Sequence, residues 1–295
     1  MLYSKMLDLW LSEKSLEIRN STKWNYICTI NRELKPAFGD YLVKEITRAM
    51  LQDYILKKSE HLKTETIISI TKVLSQSFKF AKQEGYVEEN PYVRIKVPKE
   101  QGAKEIKVFT QEEIAALLSV QGFHGQIVDI VNIAYRTGMR IGEILALKWE
   151  DVNFEQEFLM VRRTVSHCQN GVREICAPKT KASTRRIDLD KATMQMLLSM
   201  DRTGDFVFCK KDGTILSRGG ICQSFKRLCK AADVSYKSFH ALRHTHASVL
   251  LAANVHPKIV QERLGHAKIS TTMDTYSHLI PGMQKVAVDV FNTLC

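Results

Sequence analysis

Apolar residues recur at helical spacing through the first hundred positions. Trp24, Ile27, Ile30 and Leu34 fall every three or four residues behind a Ser21/Thr22 cap. Ile67, Ile70, Val73, Leu74, Phe78 and Ala81 repeat the pattern, and Gly85 is placed to end that helix. Between the two, "PAFGDYLVKEIT" reads as a turn-bearing connection into a further helix near Met50 to Lys57. The expectation for residues 1–95 is a small bundle of about four helices. In "NPYVRIKVPKEQGAKEIKVFT" the period is lost, and its prolines, glycine and repeated lysines predict a linker over residues 96–108.

A second domain, residues 109–295, opens on "TQEE", a capping box with Thr110 as N-cap and Glu113 three positions on. "QIVDIVNIAYRTG" follows as an amphipathic helix with Ile127, Ile130, Val131 and Ala134 on one face. The period then changes. "EFLMVRRTVSHCQNGVREICA" reads as two extended runs around an Asn170–Gly171 turn, and "STRRIDL" as a third strand. After a helix from about Lys191, "DFVFCKKDGTILS" reads as a short hairpin turning at Asp212–Gly213. The remainder returns to helical spacing. The fold class expected is mainly α with a small antiparallel β-sheet: a helical N-terminal domain followed by an α+β domain.

The chain has 295 residues, enough for two cores, and its 44% hydrophobic and 25% charged content is that of a globular protein. The net charge of +11 is spread over both halves instead of being confined to a tail. That distribution suits a polyanion contacted by both domains, and nucleic acid is the obvious one. No apolar run reaches the ~18 residues of a membrane span, so no membrane partner is expected. "MLYSKMLDLWLSEKS" has neither the basic region nor the cleavage site of a signal peptide. Seven cysteines without a C-x-x-C pair predict reduced thiols and a cytoplasmic location.

"HALRHTHAS" gathers three of the chain's nine histidines and an arginine between His240 and Ser248. His240 and His244, four apart, would share a helix face as a zinc pair does. Against zinc, Ala241 stands where a metalloprotease helix carries its glutamate, and no Asp or Glu lies between Lys237 and Gln261. His240 and Arg243, three apart, would instead aim an imidazole and a guanidinium at one point. "TGMRIGE" adds Arg140 between Gly138 and Gly142, where missing side chains would let a ligand approach closely. "APKTKAS" adds Lys179, "RLGH" adds His266 and "STTMDTYSHL" adds Tyr276. Arginine grips phosphate oxygens in a planar fork and keeps its charge at any working pH. Two arginines and a histidine would neutralise the extra charge of a pentavalent phosphorus transition state. A lysine at the end of a hairpin strand would protonate a leaving oxygen. Taken singly, each has an ordinary reading, as a surface ion pair or as half-buried packing.

Taken in order, Arg140, Lys179, His-x-x-Arg at 240–243, Leu-Gly-His at 264–266 and Tyr276 resemble the tyrosine recombinases, the family of phage and conjugative-element integrases and Xer resolvases. The likeness runs through both domains, and residues 1–95 are similar to the family's helical core-binding domain. It implies that Tyr276 attacks a phosphate of double-stranded DNA, forming a 3′-phosphotyrosine and releasing a 5′-hydroxyl. Arg140 and Arg243 would clamp the non-bridging oxygens, and His240 and His266 would bond the phosphate or handle the tyrosine proton. Lys179, or Lys181 in another hairpin register, would be the general acid. An unperturbed phenol is ionised to roughly one part in a thousand at neutral pH, so phenolate costs about 4 kcal/mol, within reach of one or two oxyanion donors.

The resemblance further implies a homotetramer holding two duplexes, accessory DNA-bending or excision proteins, no cofactor or metal, and integration or excision of a mobile element. His244 and His246 are left for packing, capping or DNA-backbone contact, and Lys226, Arg227 and Lys230 for phosphate contacts or a solvated face. Many integrases carry a further N-terminal arm-binding domain; residues 1–95 are expected to be the core-binding part, of either a naturally short recombinase or a trimmed one. The tail, with Val286, Val290 and Phe291 on one side, would dock on a neighbouring subunit or on its own domain. The alternatives are a Xer-type resolvase, a type IB topoisomerase-like relaxase acting on one duplex, and a non-catalytic DNA-binding regulator.

Overall fold

The computed structural model describes residues 1–98, 106–123, 126–167, 173–178 and 180–276. The chain divides into two compact units, one covering Met1–Lys104 and the other Glu105–Ser166 with Glu174–Cys295.

The first unit is helical. It comprises α1 (Tyr3–Lys14), α2 (Asn20–Thr29) continuing through a wide π turn (Ile30–Leu34) into α3 (Lys35–Phe38), then α4 (Arg48–Ser59) and α5 (Thr64–Gln83). Its core is the sum of stripes at helical spacing: Tyr3, Met6, Leu7 and Trp10 from α1, Tyr26, Ile30 and Leu34 next, and Ile70, Val73, Leu74, Phe78 and Ala81 from α5. Gly85 ends α5 as expected, at φ +72°, with the Tyr86 amide donating back to Ala81 O at 2.8 Å. The Ser21/Thr22 cap is corrected. α2 begins at Asn20 with Arg19 as its N-cap, so both hydroxyl residues lie within its first turn. Beyond α5 the chain stays fastened to α4. Arg48 donates to the carbonyls of Val93 and Arg94, and the Gln52 amide exchanges two hydrogen bonds with the Lys96 backbone.

The second unit surrounds one helix. The Thr110 capping box forms, with Glu113 N on Thr110 Oγ1 at 3.2 Å and Thr110 N on Glu113 Oε2 at 2.8 Å, and starts α6 (Gln111–Ser119). α7 (Ile127–Thr137) buries Ile127, Ile130, Val131, Ile133 and Ala134; full burial of each large aliphatic side chain contributes about 1.5–3 kcal/mol. Helices α6, α9 (Lys191–Ser199), α10 (Arg218–Ala231) and α11 (Ala241–Ala252) pack against α7, and the short α8 (Ile141–Leu145) follows it directly. α12 (Pro257–Leu264) and α13 (Ile269–Tyr276) close the described chain.

A three-stranded antiparallel sheet, in the order β1 (Val152–Asn153), β2 (Phe158–Val161), β5 (Arg185–Asp188), sets Leu159 opposite Ile187, both buried. β3 (Thr164–His167) and β4 (Arg173–Cys176) form a separate ribbon, and the Asn170–Gly171 turn falls outside the described residues. One strand expectation is corrected. The run before Asn170 is not one strand, because Arg163 turns away to pair with buried Asp151 at 2.7 Å and divides it into β2 and β3. The short hairpin turning at Asp212–Gly213 forms, with an antiparallel Cys209–Ile215 bridge, Lys210 N donating to Thr214 O at 2.9 Å and Gly213 at φ +76°. Its incoming arm also bonds to the segment after α8, Val207 N to Leu147 O at 2.9 Å, with Trp149 N donating to Asp205 O. Among the described residues no helix is long and apolar enough to cross a membrane.

α7 ends at Gly138, which adopts φ +66°. A Cβ there would stand 2.6 Å from His246 Cδ2 and 2.8 Å from Leu264 Cδ2. Gly138→Ala therefore combines left-handed strain with overpacking, and a loss of about 2–4 kcal/mol is expected from urea unfolding.

Candidate active site

The carboxyl end of α7 positions the first functional side chain. After left-handed Gly138 the chain extends through Met139 to Arg140, the N-cap of α8. Arg140 N donates to Glu143 Oε2 at 3.0 Å and its Nη1 to Glu143 Oε1 at 2.8 Å. Glu143 is buried and also pairs with Arg185 of β5, Nη2 to Oε2 at 3.0 Å. Burial alone would raise its pKa. The guanidiniums of Arg185 and Arg140 outweigh that and hold the carboxyl below its ordinary value. Arg185 is anchored further by donating from Nε to Arg263 O at 2.6 Å.

Arg140 and His266 face one cavity of about 320 Å³, whose wall also includes Thr164, Pro178, Thr180, Ser183 and Thr271. Gly265 brings His266 there by ending α12 in a left-handed turn, φ +70°, so close to the segment before β5 that a Cβ would meet Ala182 O at 2.9 Å. The His266 ring pairs through Nδ1 with the buried Thr272 hydroxyl at 2.9 Å. Lys179 lies outside the described residues. Lys181 opens the turn Lys181–Ser183. Tyr276 closes α13.

α11 supplies the other pair. Arg243 is buried and donates from Nη1 to Gly138 O at 2.8 Å. His240 caps α11 and lies edge-on to His244, ring centroids 4.7 Å apart. No group of three or more metal-ligating side chains occurs among the described residues. His240 still presents surface to solvent, but its crowded setting and then His244, Arg243 and Arg140 push its pKa down to about 4. His266 is pushed to about 3 by burial, then by Arg243, Arg140, Arg185 and His240. Arg140, His240, Arg243 and His266 are thus close enough to act on one another, and both imidazoles are neutral at pH 7.

His246 is buried and fully bonded. Its Nδ1 faces Tyr135 O at 2.7 Å and its Nε2 accepts from Arg263 Nε at 3.2 Å, which rules out a DNA-backbone contact and leaves a packing role. The glycines flanking Arg140 are also corrected. Gly138 admits the His246 ring, and Gly142 admits β3, where a Cβ would lie 2.7 Å from Thr164 Oγ1; their missing side chains serve packing, not a ligand. Lys226, Arg227 and Lys230 are exposed on α10. Sequence reading missed Glu143, Arg185, Arg263 and Thr272. Only Glu143 carried a signal, as an acidic residue at the third helical position after Arg140.

The family model described as "Phage integrase family" matches residues 107–282, and "Phage integrase, N-terminal SAM-like domain" matches residues 2–59. A tyrosine recombinase XerC-like protein of Caldanaerobacter subterraneus subsp. tengcongensis is 30% identical over 280 residues, 84% of this chain and 71% of that one. The ICEBs1 integrase of Bacillus subtilis is 26% identical over 310 residues, 99% of this chain and 83% of that one. Among solved structures, the Tn1549 transposon integrase in complex with a circular intermediate DNA superposes with a TM-score of 0.83 at 18% identity, covering 99% of both chains. A lambda integrase tetramer bound to a Holliday junction gives 0.74 at 20% identity, covering 93% of this chain and 77% of that one. These likenesses establish the fold of the chain.

The depressed histidines make stability depend on pH. A fold that lowers the pKa of His240, His246 and His266 below about 6.5 binds fewer protons than the unfolded chain as acid is added. Their contribution is complete above about pH 6.5 and is lost as pH falls towards 3–4, with Glu143 extending the loss further into acid. Urea midpoints of the free protein are expected to fall from pH 6.5 to pH 4, and His266→Asn to flatten that slope. An unchanged slope would contradict the assignment for His266.

Proposed function

Because the chain belongs to the phage integrase family, the tyrosine recombinases, we propose that it cuts and rejoins double-stranded DNA at specific sites through a 3′-phosphotyrosine, moving a mobile element in or out of a cytoplasmic chromosome. The observation that supports this reading is Arg140 and His266 on the wall of one cavity, with Arg243 and His240 near enough to act electrostatically on His266. Tyr276 attacks the scissile phosphorus, the P–O5′ bond breaks, and the 5′-oxygen takes a proton from Lys179, with Lys181 as the alternative donor. Arg140 and Arg243 neutralise the non-bridging oxygens. His240 and His266, neutral in the free protein, act as hydrogen-bonding groups and take up the phenol proton. A second 5′-hydroxyl then attacks the phosphotyrosine and restores a diester, so bond energy is conserved and no nucleotide is consumed. Exchange between two duplexes requires two cuts on each, which is the work of a homotetramer.

The test is covalent capture on a nicked random-sequence duplex library. Wild type is expected to give an SDS-resistant protein–DNA adduct and Tyr276→Phe none, while Arg140→Ala slows adduct formation about 10²–10³-fold. Recombinant products from two captured sites support synapsis. Relaxation of plasmid without exchange would point to the topoisomerase-like alternative. Tight duplex binding with no adduct would overturn the catalytic reading.

A further inference from the structure

The last turn of α7 exposes three carbonyls that no helical amide reaches, and each is taken by a side chain from α11 or α12. Tyr135 O accepts from His246 Nδ1 at 2.7 Å, Arg136 O from Arg263 Nη2 at 3.1 Å, and Gly138 O from Arg243 Nη1 at 2.8 Å. Arg263 also donates from Nε to His246 Nε2 at 3.2 Å and from Nη1 to Asp188 O at 3.0 Å, so all three of its nitrogens are engaged. The arrangement requires one tautomer of a neutral His246, Nδ1 donating and Nε2 accepting. His246 stands one turn beyond Arg243 on the same face of α11 and packs against Gly138 itself.

We propose that His246 and Arg263 are positioning residues for Arg243. They occupy the two neighbouring acceptors at the negative end of α7, and so confine the Arg243 guanidinium to Gly138 O in the plane that receives a phosphate. The inference rests on the reading of Arg243 as a phosphate clamp. The physical argument is competition. A helix carboxyl end carries roughly half a negative charge and attracts any nearby cation. With Tyr135 O and Arg136 O open, the five-donor fork of Arg243 would have further partners along the helix end and would swing away from Gly138 O. Arg263 supplies the competing cation, and His246 removes the remaining acceptor without adding charge. A leucine at 246 would pack as well, but it would leave the Tyr135 carbonyl to Arg243.

The test compares two substrates on one enzyme preparation, so any misfolded fraction cancels. A captured target duplex is synthesised with its scissile phosphate either as the diester or as a methylphosphonate, which lacks one negative charge. A residue that works through charge neutralisation matters less on the uncharged substrate. Arg243→Ala is expected to slow cleavage about 10²–10³-fold on the diester and far less on the methylphosphonate. His246→Gln and Arg263→Ala are expected to show the same signature at smaller scale, tens-fold on the diester and less than about threefold on the methylphosphonate, with duplex affinity unchanged. Equal losses on the two substrates for His246→Gln and Arg263→Ala, beside a collapse for Arg243→Ala, would overturn the positioning role alone. Equal losses for Arg243→Ala as well would overturn the clamp reading and the inference with it.

Discussion

Both arginines of the candidate site depend on how α7 ends. A helix terminus leaves carbonyls without amide partners, and inside a packed domain water does not reach them. Side chains far away in sequence fill the gap: His246 and Arg243 from α11 and Arg263 from α12. The same turn carries Gly138, whose left-handed backbone redirects the chain so that Arg140 stands extended at the start of α8. The two arginines assigned to phosphate therefore hang from one turn, Arg140 two residues beyond it along the chain and Arg243 through its carbonyl. A disturbance there displaces both.

Charge is distributed unevenly around that turn. Glu143 is the carboxylate between Arg140 and Arg185, so two guanidiniums share one negative charge. Arg243 is fixed by a carbonyl, which orients it without cancelling its charge. Burial is the larger cause that drives the protons off His240 and His266, and the positive charges of Arg243 and Arg140 add to it. Neutral imidazoles suit the proposed step. A protonated histidine could not accept the phenol proton, and ionising a tyrosine at neutral pH costs about 4 kcal/mol that nearby positive charge must offset.

Six candidate positions could be picked out in the sequence because each sits in a short local pattern: Arg140 after Thr-Gly-Met, His240 and Arg243 three apart, His266 after Leu-Gly, Tyr276 ten residues on, and a lysine in "APKTKAS". The helical stripes were legible for the same reason, since burial of Ile130 or Leu74 follows from period alone. The supporting pairs were not. Glu143 with Arg185 and His246 with Arg263 are 42 and 17 positions apart, and nothing local marks either as a pair. Arg162–Arg163 looked like the middle of a strand, because the buried carboxylate that pulls Arg163 out of the sheet lies 12 residues earlier. Gly138 and Gly142 were read as openings for a ligand. A glycine in sequence announces only that something comes close, and here it is the protein itself.

Two populations of basic residue follow from this arrangement, and they differ in kind. Lys226, Arg227 and Lys230 are exposed on α10, where the ~8 Å Debye length of physiological salt limits their reach. Such residues hold a phosphate backbone loosely and without regard to sequence, each contact weakened as salt rises. Arg243 and Arg185 are buried, fixed by carbonyls and a carboxylate, and little screened by salt. The net charge of +11 read from the sequence sums both populations and cannot tell them apart. On the proposed reading, holding the polyanion and stabilising one pentavalent phosphorus are separate tasks, the second falling to Arg140 and Arg243. The second depends less on ionic strength than on the geometry at the end of α7.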